Sequence, residues 1–575
     1  MKLLQLFRKE ADSSGTPLIV MTILSGLANA GILAVINSAA DQALDSGAAS
    51  FRMLAIFLLA ICVFFISKKY ALLETAVLVQ KVIENIRARI INKIRAADLR
   101  TIETLGESEI YNRLTQDAQT ISSGAPMIVN ALQSAVMLFF CVLYLIALSK
   151  LAFLITVGMI VAAIFVYFSN QREVTRNIAL ATDQETEFFS SLNNVLQGSK
   201  ELKVNQSRND DLYNNYVLRI LSKTKDLKIV SEKLLLSNFM FTQAFYYVLL
   251  AVIVFLLPKL GHISGDVITK TTAAILFIVG PLEMLVAAIP SLARTNVSID
   301  NIEDLERKLD KYTRRDAPVE QHVTERLARF ETIDLCNLVF SYGHQKGRDT
   351  FTLGPVDLTI HAGEVLFIIG GNGSGKSTVM KLLTGLYYPD SGSVLVDGEP
   401  IDENNYQSYR ELFSIIFTDF HLFDRFYGLQ DVEPQLIHNF IKEMQLSGVV
   451  GYKSGRFTNL DLSTGQRKRL AMINSFLEDK PVCIFDEWAA DQDPGFRRHF
   501  YEHMLPKLKR EGKTIVAVTH DDHYFHCADR VLKMDMGKFV LYQPEQAEVP
   551  LTRHKVKSRR MIPIVRSMTR KKVAP

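Results

Sequence analysis

Nine consecutive residues, Gly370-Gly371-Asn372-Gly373-Ser374-Gly375-Lys376-Ser377-Thr378, carry the spacing G-x-x-x-x-G-K-[ST]. Glycines at that spacing let main-chain N–H groups curl around a phosphate. Val365–Ile369 before the loop reads as a buried strand and Val379–Leu383 after it as a helix. The loop therefore opens a helix, whose N-terminal partial positive charge adds to the amides. Lys376 is expected to reach the β- and γ-phosphates of a nucleotide, and the Ser377 hydroxyl to ligate Mg²⁺. A glycine turn before a helix can arise by chance, but strand, loop and helix in this order argue against chance.

Further groups follow at usable distances. Val482–Phe485 is an apolar strand that ends in Asp486 and Glu487. The first acid is expected to hold the metal through water and the second to polarise an attacking water. Thr514–Thr519 is another apolar strand, and it delivers His520 at its tip, in reach of a γ-phosphate. Leu462-Ser463-Thr464-Gly465-Gln466 precedes the basic helix that starts Arg467-Lys468-Arg469, a second phosphate-binding helix end. Tyr342 lies 28 residues before Gly370, where a ring could stack on a base.

The elements that position these groups occupy only the second half of the 575 residues. The first half is apolar. Runs near 17–40, 53–72, 127–149, 151–169, 239–258 and 271–293 are each about the 18 residues or more that cross a bilayer core. The first is too long for a cleaved leader's apolar region. Residues 80–125 and 170–238 are long, polar and rich in Lys and Arg, which marks the cytoplasmic side and puts both termini there. In 74–100 Val79, Val82, Ile83, Ile86, Ile90 and Ile94 recur at helical spacing, so the spans are expected to continue inward as stalks. The net charge is +4, yet residues 551–575 hold nine Lys/Arg and no acid; without them the balance is acidic, which excludes a nucleic-acid partner. That tail is expected to be disordered and drawn to anionic membrane lipids. Cys62, Cys141, Cys336, Cys483 and Cys527 are scattered and odd in number, which argues against disulfides or a zinc site.

With these motifs in place, the chain resembles an ABC half-transporter of exporter type. Residues 462–466 look like the family's signature, between Walker A at 370–378 and Walker B at 482–487. The resemblance implies an α-helical membrane domain of six transmembrane helices fused to an α/β P-loop nucleotide-binding domain. Expected boundaries are 1–312 for the membrane domain, 313–328 for a linker, 329–545 for the cassette and 546–575 for the tail. It also implies ATP and Mg²⁺ as cofactors and a homodimer. Each ATP would lie between one cassette's Walker A and Ser463, Thr464, Gly465 and Gln466 of the other. Loops near Thr101–Asp117 and Ser190–Asp210 would carry short coupling helices. Asp493 would be the acid that crosses the cassette dimer.

Finer strings are similar to the bacterial cyclic-peptide and siderophore exporters, the pyoverdine-, syringomycin- and microcin-type branch. They are Asp486–Pro494, Phe417–Phe423, Gly198–Asn205 and Leu462–Arg469. Two positions depart from the common pattern. Thr418 stands where most cassettes have glutamine, so Asp419 or a water is expected to serve the metal; Thr464 replaces a glycine of the signature. The resemblance implies ATP-driven export of a peptide-like product across the bacterial inner membrane, with the cassette in the cytoplasm. Alternatives are a lipid or amphipathic-drug exporter, or an ATP-gated regulatory protein. Glu283 and Gln243 are costly in lipid and are expected to face the bundle interior. Lys68 and Lys69 are expected to snorkel, and Trp488 to be partly wet until two cassettes close.

Overall fold

The computed structural model describes residues 5–7, 16–46, 51–261, 264–311, 319–342, 351–429 and 431–542. The expected tail at 546–575 lies outside them. The chain divides into two compact units, Met1–Thr313 and Arg314–Pro575.

Unit one is helical. Its main helices are α1 (Thr16–Ser46), α2 (Phe51–Ala96), α3 (Ala118–Leu148), α4 (Lys150–Gln197), α5 (Leu218–Ala251) and α6 (Gly265–Lys311). Among the described residues, four helices are long and apolar enough to cross a membrane: Thr16–Ala40, Phe51–Ala96, Glu109–Leu148 and Gly265–Lys311. Shorter apolar stretches, Lys150–Phe165 and Gln243–Lys259, fall where the fourth and fifth spans were expected. Leu59, Phe65, Phe165 and Phe255 are exposed, as suits helices solvated by lipid tails.

The stalks exist as continuations of these helices. α2, α4 and α6 have 46, 48 and 47 residues, about twice the roughly 20 that a bilayer core requires. The helical-period residues Val79, Val82, Ile83, Ile86 and Ile90 of α2 pack with Ile121 and Ala125 of α3 and with Ile299, Ile302, Leu305 and Leu309 of α6. Arg89–Glu306 at 2.9 Å and Lys93–Asp310 at 2.7 Å flank that core. Gly124 marks a close crossing of α3 and α6: a Cβ there would lie 2.1 Å from Thr295 Oγ1, the small-residue contact typical of membrane helices. Short helices at Leu99–Leu105, Glu107–Asn112, Ser199–Val204 and Gln206–Asp211 stand in the two inner loops.

Unit two is α/β. Part of the expected linker is ordered within it: Gln321–Leu327 is helical, Leu327 is buried, and Glu320 N–H donates to Ser408 Oγ at 3.3 Å. An antiparallel sheet is formed by β1 (Thr332–Ser341), β2 (Thr352–His361), β4 (Ser391–Val396) and β5 (Glu399–Pro400), in the order β2-β1-β4-β5. The alternating burial of β1 shows one face packed and one wet.

The larger sheet contains β3 (Val365–Ile369), β6 (Phe413–Ile416), β7 (Val482–Asp486), β8 (Thr514–Val518), β9 (Arg530–Asp535) and β10 (Lys538–Leu541). Its order is β10-β9-β3-β8-β7-β6. β3, β7 and β8 are buried at every position, which is why they read as unbroken apolar runs. They run parallel, with Val518 beside both Ile368 and Asp486. Their carboxyl ends therefore share one edge, the usual ligand crevice of such sheets.

Candidate nucleotide-hydrolysis site

The loop after β3 opens helix α7 (Lys376–Leu383). Gly370, Gly373 and Gly375 have φ of 152°, 78° and 107°, values that a side chain disfavours. At Gly370 a Cβ would also stand 2.3 Å from the Met534 carbonyl. Lys376 is buried, and its Nζ donates to the Gly370 and Gly371 carbonyls at 2.9 and 3.0 Å. Asn372 and Gly373 are exposed at the mouth, while Ser374 and Thr378 are buried in the wall. Ser374 Oγ is buried without a protein partner.

The end of β7 meets this loop. Ser377 Oγ donates to Asp486 Oδ2 at 3.1 Å, and the other oxygen, Asp486 Oδ1, is buried with no partner. Burial pushes the Asp486 carboxyl above its ordinary value, against the Ser377 hydrogen bond. An orphaned buried carboxylate oxygen beside a hydroxyl fits a hard cation with oxygen ligands. Among the described residues no group of three His, Cys, Asp or Glu could hold a metal. Such a cation would need phosphate oxygens as well.

Glu487 has φ +50° and ψ +35°, the left-handed region that non-glycine residues rarely enter. Its N–H donates to the Val518 carbonyl at 3.1 Å. Its Oε1 lies 3.2 Å from His520 Nε2 and 3.8 Å from Lys376 Nζ. Acid, imidazole and ammonium thus meet where three strand ends converge. Tyr342 joins from β1: its hydroxyl is 2.9 Å from Thr378 Oγ1, its ring packs edge-on against Phe340 and Tyr387, and it is half exposed. Asp419 does not join. It is exposed, and Thr418 Oγ1 instead donates to the Asp486 carbonyl at 3.2 Å. A threonine reaches the strand end because the β6 loop runs close beside it.

Ser463 to Gln466 form a different surface. Ser463 caps helix α8 (Thr464–Glu478) by accepting from Gln466 N–H at 3.4 Å, and Gln466 Oε1 accepts from Ser463 N–H at 3.1 Å. The Gln466 side chain is therefore turned back on its own helix end. Ser463 and Thr464 are exposed. Gly465 packs on the loop after Glu487: a Cβ would lie 2.7 Å from the Asp491 carbonyl, and its own carbonyl accepts from Gln492 Nε2 at 3.1 Å.

Several residues of this arrangement escaped the sequence reading. Lys468 is buried and donates to the Glu487 carbonyl at 2.7 Å; Arg469 pairs with Asp493 at 2.5 Å. The Phe496 N–H, and then Arg469, hold the Asp493 carboxyl below its ordinary value. Helical spacing could have found Lys468, which shares a buried face with Met472 and Ser475. Trp488 corrects an expectation: it is 1% exposed, packs on Phe496 and Phe500, and donates from Nε1 to the Lys468 carbonyl at 3.0 Å. It is a core residue beneath the catalytic strand.

Two of the cavities in the helical unit bear on these expectations. One of about 40 Å³ is lined by Gln243, Glu283, Tyr246 and neighbouring apolar side chains, so both expected polar residues face a shared interior space. Another, of about 230 Å³, is lined by Asn29, Lys68, Asn130, Gln133 and Ser134 together with Met137 and Phe277. Lys68 therefore shares a mixed wall of polar side chains with Met137, Phe277, Pro281 and Met284, whereas Lys69 is exposed.

Residues 353–490 match the family described as ABC transporter, and residues 17–282 match the ABC transporter transmembrane region. The ATP-binding protein SyrD of Pseudomonas syringae pv. syringae is 30% identical over 528 residues, 90% of this chain and 92% of that protein. An ATP-dependent lipid A-core flippase of Idiomarina loihiensis is 24% identical over 408 residues, 68% and 67% of the two chains. A solved bacterial Atm1-family ABC exporter with ATP bound shares the fold, with a TM-score of 0.71 at 16% identity over 91% of this chain and 93% of that one. A membrane helical region, a phosphate loop and an acid-tipped strand in one chain agree with these likenesses: the chain belongs to the ABC transporter family, as an ATP-hydrolysing half-transporter of exporter type.

Proposed function

We propose that this chain acts as a homodimer that couples ATP hydrolysis to export of a peptide-like cargo, of cyclic-peptide or siderophore type, across a bacterial inner membrane. The cassette and both termini face the cytoplasm in this reading. The observation that carries the cargo assignment is the polar cavity of Asn29, Lys68, Asn130, Gln133 and Ser134. Its amides, hydroxyl and ammonium suit a ligand dense in carbonyl oxygens and N–H groups. Acyl chains would leave those groups unpaired, which is costly away from water. The similarity to SyrD across both units supports the same assignment.

Hydrolysis follows from the cassette's own residues. Loop amides and Lys376 bind the β- and γ-phosphates, Ser374 and Thr378 add hydroxyls, and Tyr342 offers a half-exposed ring to the adenine. Ser377 and Asp486 would hold Mg²⁺, which when bound neutralises phosphate charge. Glu487 accepts a hydrogen bond from the attacking water, and His520 orients Glu487 and touches the γ-phosphate. Ser463, Thr464 and Gly465 present a helix N-terminus to the nucleotide of the partner cassette.

A second reading, export of a lipid, is favoured by the flippase similarity. Inside-out proteoliposomes separate the two. ATP-dependent accumulation of a radiolabelled cyclic lipodepsipeptide or a pyoverdine-type peptide siderophore, with no ATP-dependent translocation of lipid A, supports peptide export. Lipid A movement without peptide uptake would replace it.

A further inference from the structure

Lys468 is 1% exposed, yet it bears an ammonium group. It sits on α8, one turn beyond the Ser463 cap, and its Nζ donates to the main-chain carbonyl of Glu487 at 2.7 Å. Its second partner is Asp491 Oδ2 at 2.6 Å. The contact is returned from the other side, since Trp488 Nε1 donates to the Lys468 carbonyl at 3.0 Å. Burying an ammonium opposite a carboxylate that is itself 45% exposed is a poor way to gain stability, because an apolar side chain of similar volume packs as well without desolvation. Its placement calls for another explanation.

The main chain of Glu487 supplies one. At φ +50° it occupies a conformation disfavoured for any residue with a Cβ, and that turn aims the side chain at His520 and Lys376. The Glu487 N–H is fixed by the Val518 carbonyl of β8. Its carbonyl accepts from Lys468 Nζ at 2.7 Å and, at a longer 3.4 Å, from the Ala490 N–H. Both sides of the turn are therefore clamped, one by the sheet and one by α8.

We infer that Lys468 is a positioning residue for ATP hydrolysis: from α8 it holds the Glu487 main chain in the turn that aims the carboxylate. This rests on Glu487 being the acid that polarises water. Because α8 also begins with Ser463–Gln466, a displacement of that exposed helix end reaches the Glu487 carbonyl directly through the Lys468 side chain, alongside the contacts of Gly465 and Arg469 with the loop beyond it. In the proposed homodimer that end completes the partner's site, so Lys468 ties the acid of one site to the phosphate-binding end of the other.

The test uses the full-length protein in proteoliposomes, with kcat and KM for MgATP measured for Lys468→Met, Lys468→Gln, Asp491→Asn and Glu487→Gln. Trp488 emission reports whether the cassette core has formed, since its hydrogen bond is to main chain that the variants keep. Expected is a loss in kcat of about tenfold or more for Lys468→Met, with KM changed by less than about twofold. Lys468→Gln, which keeps a donor, should fall between Lys468→Met and wild type, and Asp491→Asn should lose several-fold in kcat. A kcat for Lys468→Met within about twofold of wild type, or a raised KM at unchanged kcat, overturns the inference. Should Lys468→Met show a red-shifted, unfolded Trp488 signal, wild-type kcat in Lys468→Gln and Asp491→Asn overturns it equally. Glu487→Gln separates the two levels. Retained hydrolysis there removes the acid from its role. Lost hydrolysis there, with wild-type kcat in Lys468→Met, removes only the positioning role.

Discussion

At the scale of single residues, the site divides binding from chemistry. In the proposed mechanism Lys376 and the loop amides carry nucleotide affinity, while Glu487 acts on the attacking water rather than on the phosphates. Glu487→Gln should therefore retain MgATP binding and lose about a hundredfold or more in turnover, as expected for removal of a general base. Lys376→Ala should weaken binding itself, and calorimetric titration alongside phosphate release distinguishes the two. Asp486 makes a prediction of opposite sign for stability. Burial raises its carboxyl above the ordinary range, so the folded state binds its proton more tightly than the unfolded state does. Ionised Asp486 thus costs stability at every pH above its folded value, and the cost fades as pH falls through that value toward the unfolded one. Asp486→Asn should melt at a higher temperature than wild type at pH 7, with the gap closing on acidification, while losing hydrolysis. A lower melting temperature at pH 7 would contradict the assignment of Asp486 as a strained, function-bearing acid. Most of these residues were legible because they lie in short contiguous motifs. Lys468 was not: helical spacing shows the face it shares with Met472 and Ser475, but its meaning depends on Glu487 and Asp491 some twenty residues away. Trp488 was misread for a related reason: proximity to Glu487 in sequence says nothing of which side of the strand an indole enters.

At the scale of elements, the N-terminal end of α8 serves two surfaces. Its N-terminus is exposed and capped by its own Ser463 and Gln466, and its first turn is wired to the loop after β7 through Lys468, Arg469 and Gly465. Ser463→Ala should cost roughly 1 kcal/mol of cassette stability as a lost cap. Ser463→Arg should instead block the approach of a second cassette. A mixed dimer with one Ser463→Arg chain should keep one composite site, and a dimer with two should keep none; full ATPase activity in the doubly substituted dimer would show that this helix end does not complete a site. The parallel strands β3, β7 and β8 were readable as apolar runs because both faces are covered. β1 and β2 were not resolved into strands, since their half-buried alternation is interrupted where the register shifts near Leu338. The stalks were legible from isoleucine and valine spacing, because their partners in α3 and α6 demand one apolar stripe.

At the scale of the whole molecule, the proposed export assigns cargo and fuel to different residues. Basal ATPase depends on the cassette, whereas the response to cargo depends on the membrane unit. Lys68→Ala and Gln133→Ala should reduce stimulation by a peptide siderophore by about fivefold or more while leaving basal ATPase within about twofold, since both belong to the helical unit and the phosphate loop to the other. Equal loss of both activities would indicate a folding defect, and no change in either would exclude the polar cavity as the cargo site. Glu283→Ala, from the smaller cavity, tests the alternative location in the same assay.

The length of α6 has a mechanical consequence. Its 47 residues make a rod about 70 Å long at about 1.5 Å per residue. Tilting such a rod by about 10° around its middle carries each end about 6 Å, in opposite directions, a lever whose gearing is set by where the pivot lies. Gly124 against Thr295 supplies a close fulcrum toward one end, so the arms are unequal and a small rotation of the short arm is magnified along the long one. Pro281 and Pro290 lie on the long arm, and each removes a backbone hydrogen bond from the rod. The leverage available to the apolar end is thus limited by bending at two prolines; Pro281 also lines the cavity of about 230 Å³, so a change there alters stiffness and cavity together, whereas Pro290 tunes stiffness without touching that lining.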